Sequence, residues 1–130
     1  MRFLYAICLL VMISCAKDDN ETCSSKGFQG TWIWDKSVGG FGGWTDTPQT
    51  TGKIKKVVID DLNFKWYEND QLVKNLQYDY NISDKPIFGT EEKTYVTLSD
   101  STQYSVELNG DSLVLIDWCF DCYYHHFHRQ

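Results

Sequence analysis

The sequence predicts an all-β fold, an eight-stranded antiparallel up-and-down barrel of small size, with a two-sheet β-sandwich as the alternative. Three observations carry this expectation. Leu62, Phe64 and Trp66 alternate with Asn63, Lys65 and Tyr67. Leu76, Tyr78, Tyr80 and Ile82 alternate with Asn75, Gln77, Asp79 and Asn81. A period of two sends one set to a buried face and leaves the other in water. Asn109-Gly110 then supplies a strong hairpin signal, because a type I′ turn needs positive φ at both central positions.

The elements follow in order. Phe28 to Trp34 is the first predicted strand. Val38 to Gly43 holds four glycines and reads as loop, which Trp44 to Gly52, with Pro48 inside, continues. Lys53 to Asp60 is rich in Val and Ile, hence a strand. Leu62 to Tyr67 is the next, and Glu68-Asn69-Asp70-Gln71 supplies turn chemistry. Leu72 to Ile82 is a long strand, and Ser83 to Glu92 is a loop with Pro86 and Gly89. Thr94 to Leu98 and Thr102 to Leu108 meet at Ser99-Asp100-Ser101, and Ser112 to Trp118 and Tyr123 to Arg129 complete eight strands.

Short turns make sequence neighbours antiparallel, and closure of the eight removes the sheet's open edges. Such a barrel is filled by side chains or holds one small ligand. Leu62, Phe64, Trp66, Leu76, Tyr78, Tyr80, Tyr104, Val106 and Leu108 are expected inside. Core packing is their first expected role and ligand lining the second. Phe64, Trp66, Tyr78, Tyr80 and Tyr104 are the interior candidates for ligand contact, because tyrosine hydroxyls and indole rings carry a polar handle on an apolar body. Phe41 and Trp44 in the glycine-rich loop are candidates for a binding rim or lid, or for a plug over the core.

Composition excludes several classes. The formal net charge is −6, with 18 Asp+Glu against 12 Lys+Arg, so the chain repels phosphate backbones and is not expected to bind nucleic acid. Aromatics make up 15% of residues, which argues for a packed or binding interior rather than disorder. Acidic pairs such as Asp60-Asp61 and Glu91-Glu92 read as solvated turns, and side chains adjacent on a strand point apart. We identify no catalytic constellation, expect no enzyme activity and no cofactor, and expect a monomer.

The five cysteines divide by context. Arg2 and the apolar Phe3 to Ile13 form a segment too short to span a bilayer and suited to a secretory signal. Met12-Ile13-Ser14-Cys15 resembles a bacterial lipobox. That resemblance implies cleavage after Ser14 and lipidation of Cys15, with Met12 departing from the usual leucine. The expected layout is a signal peptide at 1–14, a lipidated tether at 15–26 and the β-domain at 27–130. Lys17-Asp18-Asp19-Asn20-Glu21 resembles an acidic surface-export tether, or is a plain solvated linker. The expected partner is therefore the outer-membrane bilayer, through acylated Cys15, with the domain periplasmic or surface-facing. Cys119 and Cys122 are the expected disulfide, with Cys23 to one of them as the alternative. A Cys₂His₂ zinc set drawn from Cys119, Cys122 and His125, His126 or His128 is weighed against this. It is not expected, because zinc needs deprotonated thiols.

Gly30-Thr31-Trp32 near the start and Phe127-His128-Arg129 at the end look like the lipocalin (calycin) signature. The chain is also similar in layout to small lipocalin-like lipoproteins of Gram-negative bacteria. The resemblance implies that Arg129 packs over the Trp32 ring, a cation–π contact pinning the last strand to the first. It implies binding of a small hydrophobic or amphipathic molecule rather than catalysis. The alternative is a filled barrel serving as a protein- or glycan-binding surface or as a cell-envelope structural module. The chain is shorter than typical lipocalins and has no helix after the last strand.

Overall fold

The computed structural model describes residues 27–83 and 93–130. Cys15, Cys23, the signal and tether segments, and most of the 83–92 loop lie outside the described residues. Nine strands and one short helix follow in order: β1 Gly30–Gly39, β2 Trp44–Asp46, α1 Pro48–Thr51, β3 Lys55–Ile59, β4 Asn63–Glu68, β5 Gln71–Ser83, β6 Lys93–Leu98, β7 Gln103–Asn109, β8 Ser112–Asp117 and β9 Tyr123–Arg129. Eight of them, β1 and β3 to β9, close into an antiparallel barrel through the pairing of β1 with β9. Closure rules out the open two-sheet sandwich. The ninth strand, β2, pairs only with the far end of β1, on the same side as β3.

The 44–52 stretch is thus not plain loop. Thr47 caps α1 reciprocally with Thr50, Pro48 opens the helix, and Gly52 closes it at φ 67°. Each residue type suits its cap position. One turn of helix carries too little periodicity to be read as such, which is why these signals pass for loop.

Turn chemistry sets the register of the meander. Asn69 and Asp70 both take positive φ, 50° and 62°, between β4 and β5, as a two-residue primed turn requires. The Asp60 carboxylate accepts from the amides of Leu62 (3.0 Å) and Asn63 (2.7 Å), fixing the β3–β4 turn. Between β7 and β8 the turn centres on Gly110 and Asp111, not on Asn109-Gly110. Asn109 still pairs with Ser112, and Gly110 alone takes positive φ. That pattern is the demand of a type II′ turn, which wants glycine first.

Two bulges shift the alternation. In β1 the register against β9 slips between Trp34 and Lys36. Trp32 and Trp34 point inward, then Ser37 rather than Lys36 does. In β4–β5 the slip lies opposite Trp66–Tyr67, where Val73 is the extra residue. A bulge sets two residues against one, so every later side chain changes face.

Phe28, Trp32, Val57, Ile59, Phe64, Val96, Leu113, Leu115 and Phe127 form the body of one buried cluster. Trp66, Leu76, Tyr78, Tyr80 and Tyr104 pack against it, and two predicted interior residues do neither. Leu62 is 66% exposed because it sits in the β3–β4 turn, before β4 begins. Leu108 is 36% exposed because the core ends above it on β7. Ile82, likewise, runs past the core on β5 and is exposed.

Candidate functional site

Strand directions separate the barrel's ends. One end carries Phe28, the β3–β4 turn and the β7–β8 turn. The other carries the Gly40–Gly43 hairpin, Asn69-Asp70, the Ser99–Ser101 turn and the 118–122 turn.

The first end is closed. Phe28 is fully buried and lies against Phe64, Tyr78 and Tyr80, with ring centroids 4.8 to 6.4 Å away. Arg129 lies over the Trp32 ring, its guanidinium carbon 4.1 Å from the centroid. The guanidinium donates to the carbonyls of Gln29 (2.9 Å) and Gly27 (2.7 Å), while Trp32 Nε1 donates to that of Phe28 (2.9 Å). Three successive carbonyls of the chain's approach to β1 are therefore held by two side chains. Gly30 has φ 137°, and a β-carbon there would stand 2.5 Å from Arg129 Nη1. The glycine gives the arginine its place.

The second end opens into a cavity of about 460 Å³. Phe64, Trp66, Leu76, Leu98 and Tyr104 supply its apolar and aromatic wall, and Glu68, Lys74, Asp117 and His125 its polar groups. Trp66 and Tyr104 both lie nearly parallel to Phe64, at 27° and 15°. His125 stands edge-on to Trp66 and Tyr104, at 85° and 84°. Of the candidate ligand contacts, Phe64, Trp66 and Tyr104 line this cavity. Tyr78 and Tyr80 instead pack around Phe28 at the closed end, where the Tyr78 hydroxyl donates to the Asp60 carbonyl (2.8 Å). The two predicted roles of the interior thus fall toward different halves of the barrel, with Phe64 shared by both.

Phe41 and Trp44 do not reach the cavity. Phe41 is 99% exposed at the hairpin tip. The Trp44 indole folds back over the hairpin's own backbone, so that a β-carbon on Gly42 would come within 2.5 Å of its Nε1. They neither line nor plug the barrel. With Ile54, Leu72, Val73 and Phe120 they leave an exposed apolar fringe around the open end.

A hydrogen-bonded line that the sequence reading missed borders the cavity. Trp34 Nε1 donates to Ser37 Oγ (2.9 Å), Ser37 Oγ meets His125 Nδ1 (2.7 Å), and His125 Nε2 meets Asp117 Oδ1 (3.2 Å). Indole nitrogen is an obligate donor. Ser37 Oγ accepts from Trp34, which leaves its own hydrogen available for Nδ1; that arrangement puts the ring proton on Nε2, toward Asp117. These residues lie far apart in sequence. Pairing the first strand with the last would have placed Ser37 opposite His125, but the bulge at Asp35 hides that Ser37 points inward.

Two of the charged residues at the mouth are held in ion pairs. Glu68 meets Lys53 at 3.0 Å and Lys74 meets Asp100 at 3.4 Å. Burial, with Asp117 and Asp100 nearby, pushes the Tyr104 hydroxyl up to about 12. It stays protonated at neutral pH. Cys119 and Cys122 form a disulfide across the 118–122 turn, which removes them as thiolate ligands. His126 and His128 share the outward face of β9, and His128 Nδ1 meets Asp35 at 2.7 Å.

No protein-family model matches this chain, and no curated protein sequence matches it. Among solved structures, a de novo designed fluorescence-activating β-barrel is similar, with a TM-score of 0.39 and 16% identity, covering 82% of this chain and 96% of that chain.

Proposed function

We propose that this chain is a lipid-anchored, extracytoplasmic barrel that binds a small amphipathic molecule in its open-ended cavity. The cavity carries the reading. Its 460 Å³ falls within the range of about 300–1,000 Å³ usual for small-molecule sites, and it sets a few polar groups among aromatic walls. The closed end supports the same reading, because a packed floor makes a cup rather than a pore.

Binding rather than catalysis also fits the Ser37–His125–Asp117 line. Ser37 is only 4% exposed and its oxygen accepts from Trp34. A nucleophile must present its oxygen to substrate, and this one is turned into the wall. Anchoring rests on the lipobox-like Met12-Ile13-Ser14-Cys15. A second reading, a surface that docks a protein or glycan, is favoured by the exposed Phe41, Trp44 and Phe120 at the open end.

N-phenyl-1-naphthylamine, whose fluorescence rises in apolar surroundings, tests the cavity. The purified domain is expected to enhance its emission, and Leu76→Trp, which fills the cavity, to abolish that gain while leaving the circular dichroism spectrum unchanged. Equal enhancement by both proteins, or none by either, overturns the cavity reading. Labelled palmitate entering the wild type but not Cys15→Ser tests the anchor.

A further inference from the structure

Resting on the cavity reading above, we propose that the occupant has a cationic head, a protonated primary amine on an apolar body, with Asp117 as its counter-charge. Of the two carboxylates lining the cavity, Glu68 is paired with Lys53. Asp117 meets no lysine or arginine among the described residues. Its partners are His125 Nε2 (3.2 Å) and the amide of Tyr123 (3.4 Å).

With Ser37 giving its hydrogen to Nδ1 and Nε2–H turned toward Asp117, every group in the line through Trp34, Ser37 and His125 is satisfied without a second proton on the ring. In that arrangement Asp117 receives hydrogen bonds from neutral donors and has no lysine or arginine opposite it among the described residues. The lining cation, Lys74, is held by Asp100, and its side chain is 58% exposed. The unneutralised charge facing the cavity is therefore negative. An anionic head would be repelled by Asp117, whereas an ammonium group would complete its pairing.

Aromatic placement points the same way. Tyr104 is the direct cross-strand partner of Asp117. Its ring and that of Trp66 each lie within 30° of the plane of Phe64. His125, hydrogen-bonded to Asp117, stands edge-on to two of them. A cation beside Asp117 would thus lie near the Tyr104 and Trp66 rings, and ring faces attract cations most strongly where water is excluded. The apolar body would extend along Phe64, Leu76 and Leu98.

Isothermal titration of the wild-type domain with n-octylamine, n-octanol and n-octanoate at pH 7 decides the matter, since the three share one tail. The expected order is amine, then alcohol, then carboxylate, with about tenfold between the first two, as a charge-assisted hydrogen bond and a cation–π contact together supply. Asp117→Asn is expected to remove the amine's advantage over octanol. Octanol or octanoate binding at least as tightly as octylamine overturns the charged-head proposal and leaves the cavity reading standing. No binding by any of the three overturns both. The wild-type series is decisive by itself if the variant does not fold.

Discussion

Gly30 and Arg129 occupy each other's space: the missing side chain of one is the seat of the other's guanidinium, and through it of the Trp32 stack. Gly30→Ala must strain a φ of 137° and displace the arginine. It is expected to destabilise the domain by about 1–3 kcal/mol. Urea unfolding measures this, and an unchanged midpoint would show that the stack does not brace the barrel.

The floor and the fringe should respond oppositely to truncation. Phe28 is completely buried among aromatic rings. Phe28→Ala is expected to cost about 3–5 kcal/mol by leaving a cavity. Phe41, bare at its hairpin tip, should tolerate Phe41→Ala within about 0.5 kcal/mol. Thermal unfolding of the pair is the check.

Ser37 links a buried indole to a half-buried imidazole. Ser37→Ala leaves Trp34 Nε1 without an acceptor and His125 Nδ1 without a donor. The expected loss is about 1–3 kcal/mol. Nitrogen-15 spectra of the histidines should show Nε2–H on His125 in the wild type and a changed tautomer balance in the variant. An unaltered imidazole signal would refute the assigned donor order.

Asp60 ties acid stability to one turn. Its hydrogen bond with Lys65, followed by those from the amides of Leu62 and Asn63, holds its carboxyl far below the usual value of 3.8. A group whose folded pKa is depressed contributes stability above its unfolded pKa, and that contribution is lost as pH falls below it. Stability should therefore decline as pH drops below about 3.8. Asp60→Asn should make that decline shallower. Denaturant midpoints from pH 5 to pH 2 measure both slopes.

Reduction should weaken the domain without dismantling it. The Cys119–Cys122 bridge spans a sequence separation of 3, and loop-closure entropy for so short a loop is worth about 2 kcal/mol. The Cys119→Ser/Cys122→Ser double variant is expected to keep its β-sheet circular dichroism and lose about that much. A larger loss would mean that the bridge also holds β8 and β9 together.

Strand order and closure were legible because period-two runs such as Phe64–Trp66 and Leu76–Tyr80 coincide with turn residues. Trp32 and Arg129 were legible because their positions at the first and last strands are sequence properties. The cavity was not. Trp66 in the cavity wall and Tyr78 and Tyr80 at the floor have identical patterns, and height along a barrel depends on how far each strand slides past its neighbour. β5 shows this: Gln71–Gln77 pair with β4, while Tyr78–Ser83 pair with β6. One unbroken alternation thus serves two levels. Ser37 was hidden by the bulge at Asp35, since an extra residue reverses inward and outward without altering composition.

That slide of β5 means that adaptation and foldability draw on separate stretches of the same strands. Residues that hold the domain together cluster around Trp32 and Phe28, while those that would choose a guest, Trp66, Tyr104 and Asp117, stand a level higher. If the upper level holds a guest as proposed, exchanging a few side chains there would change it with the masonry beneath left alone.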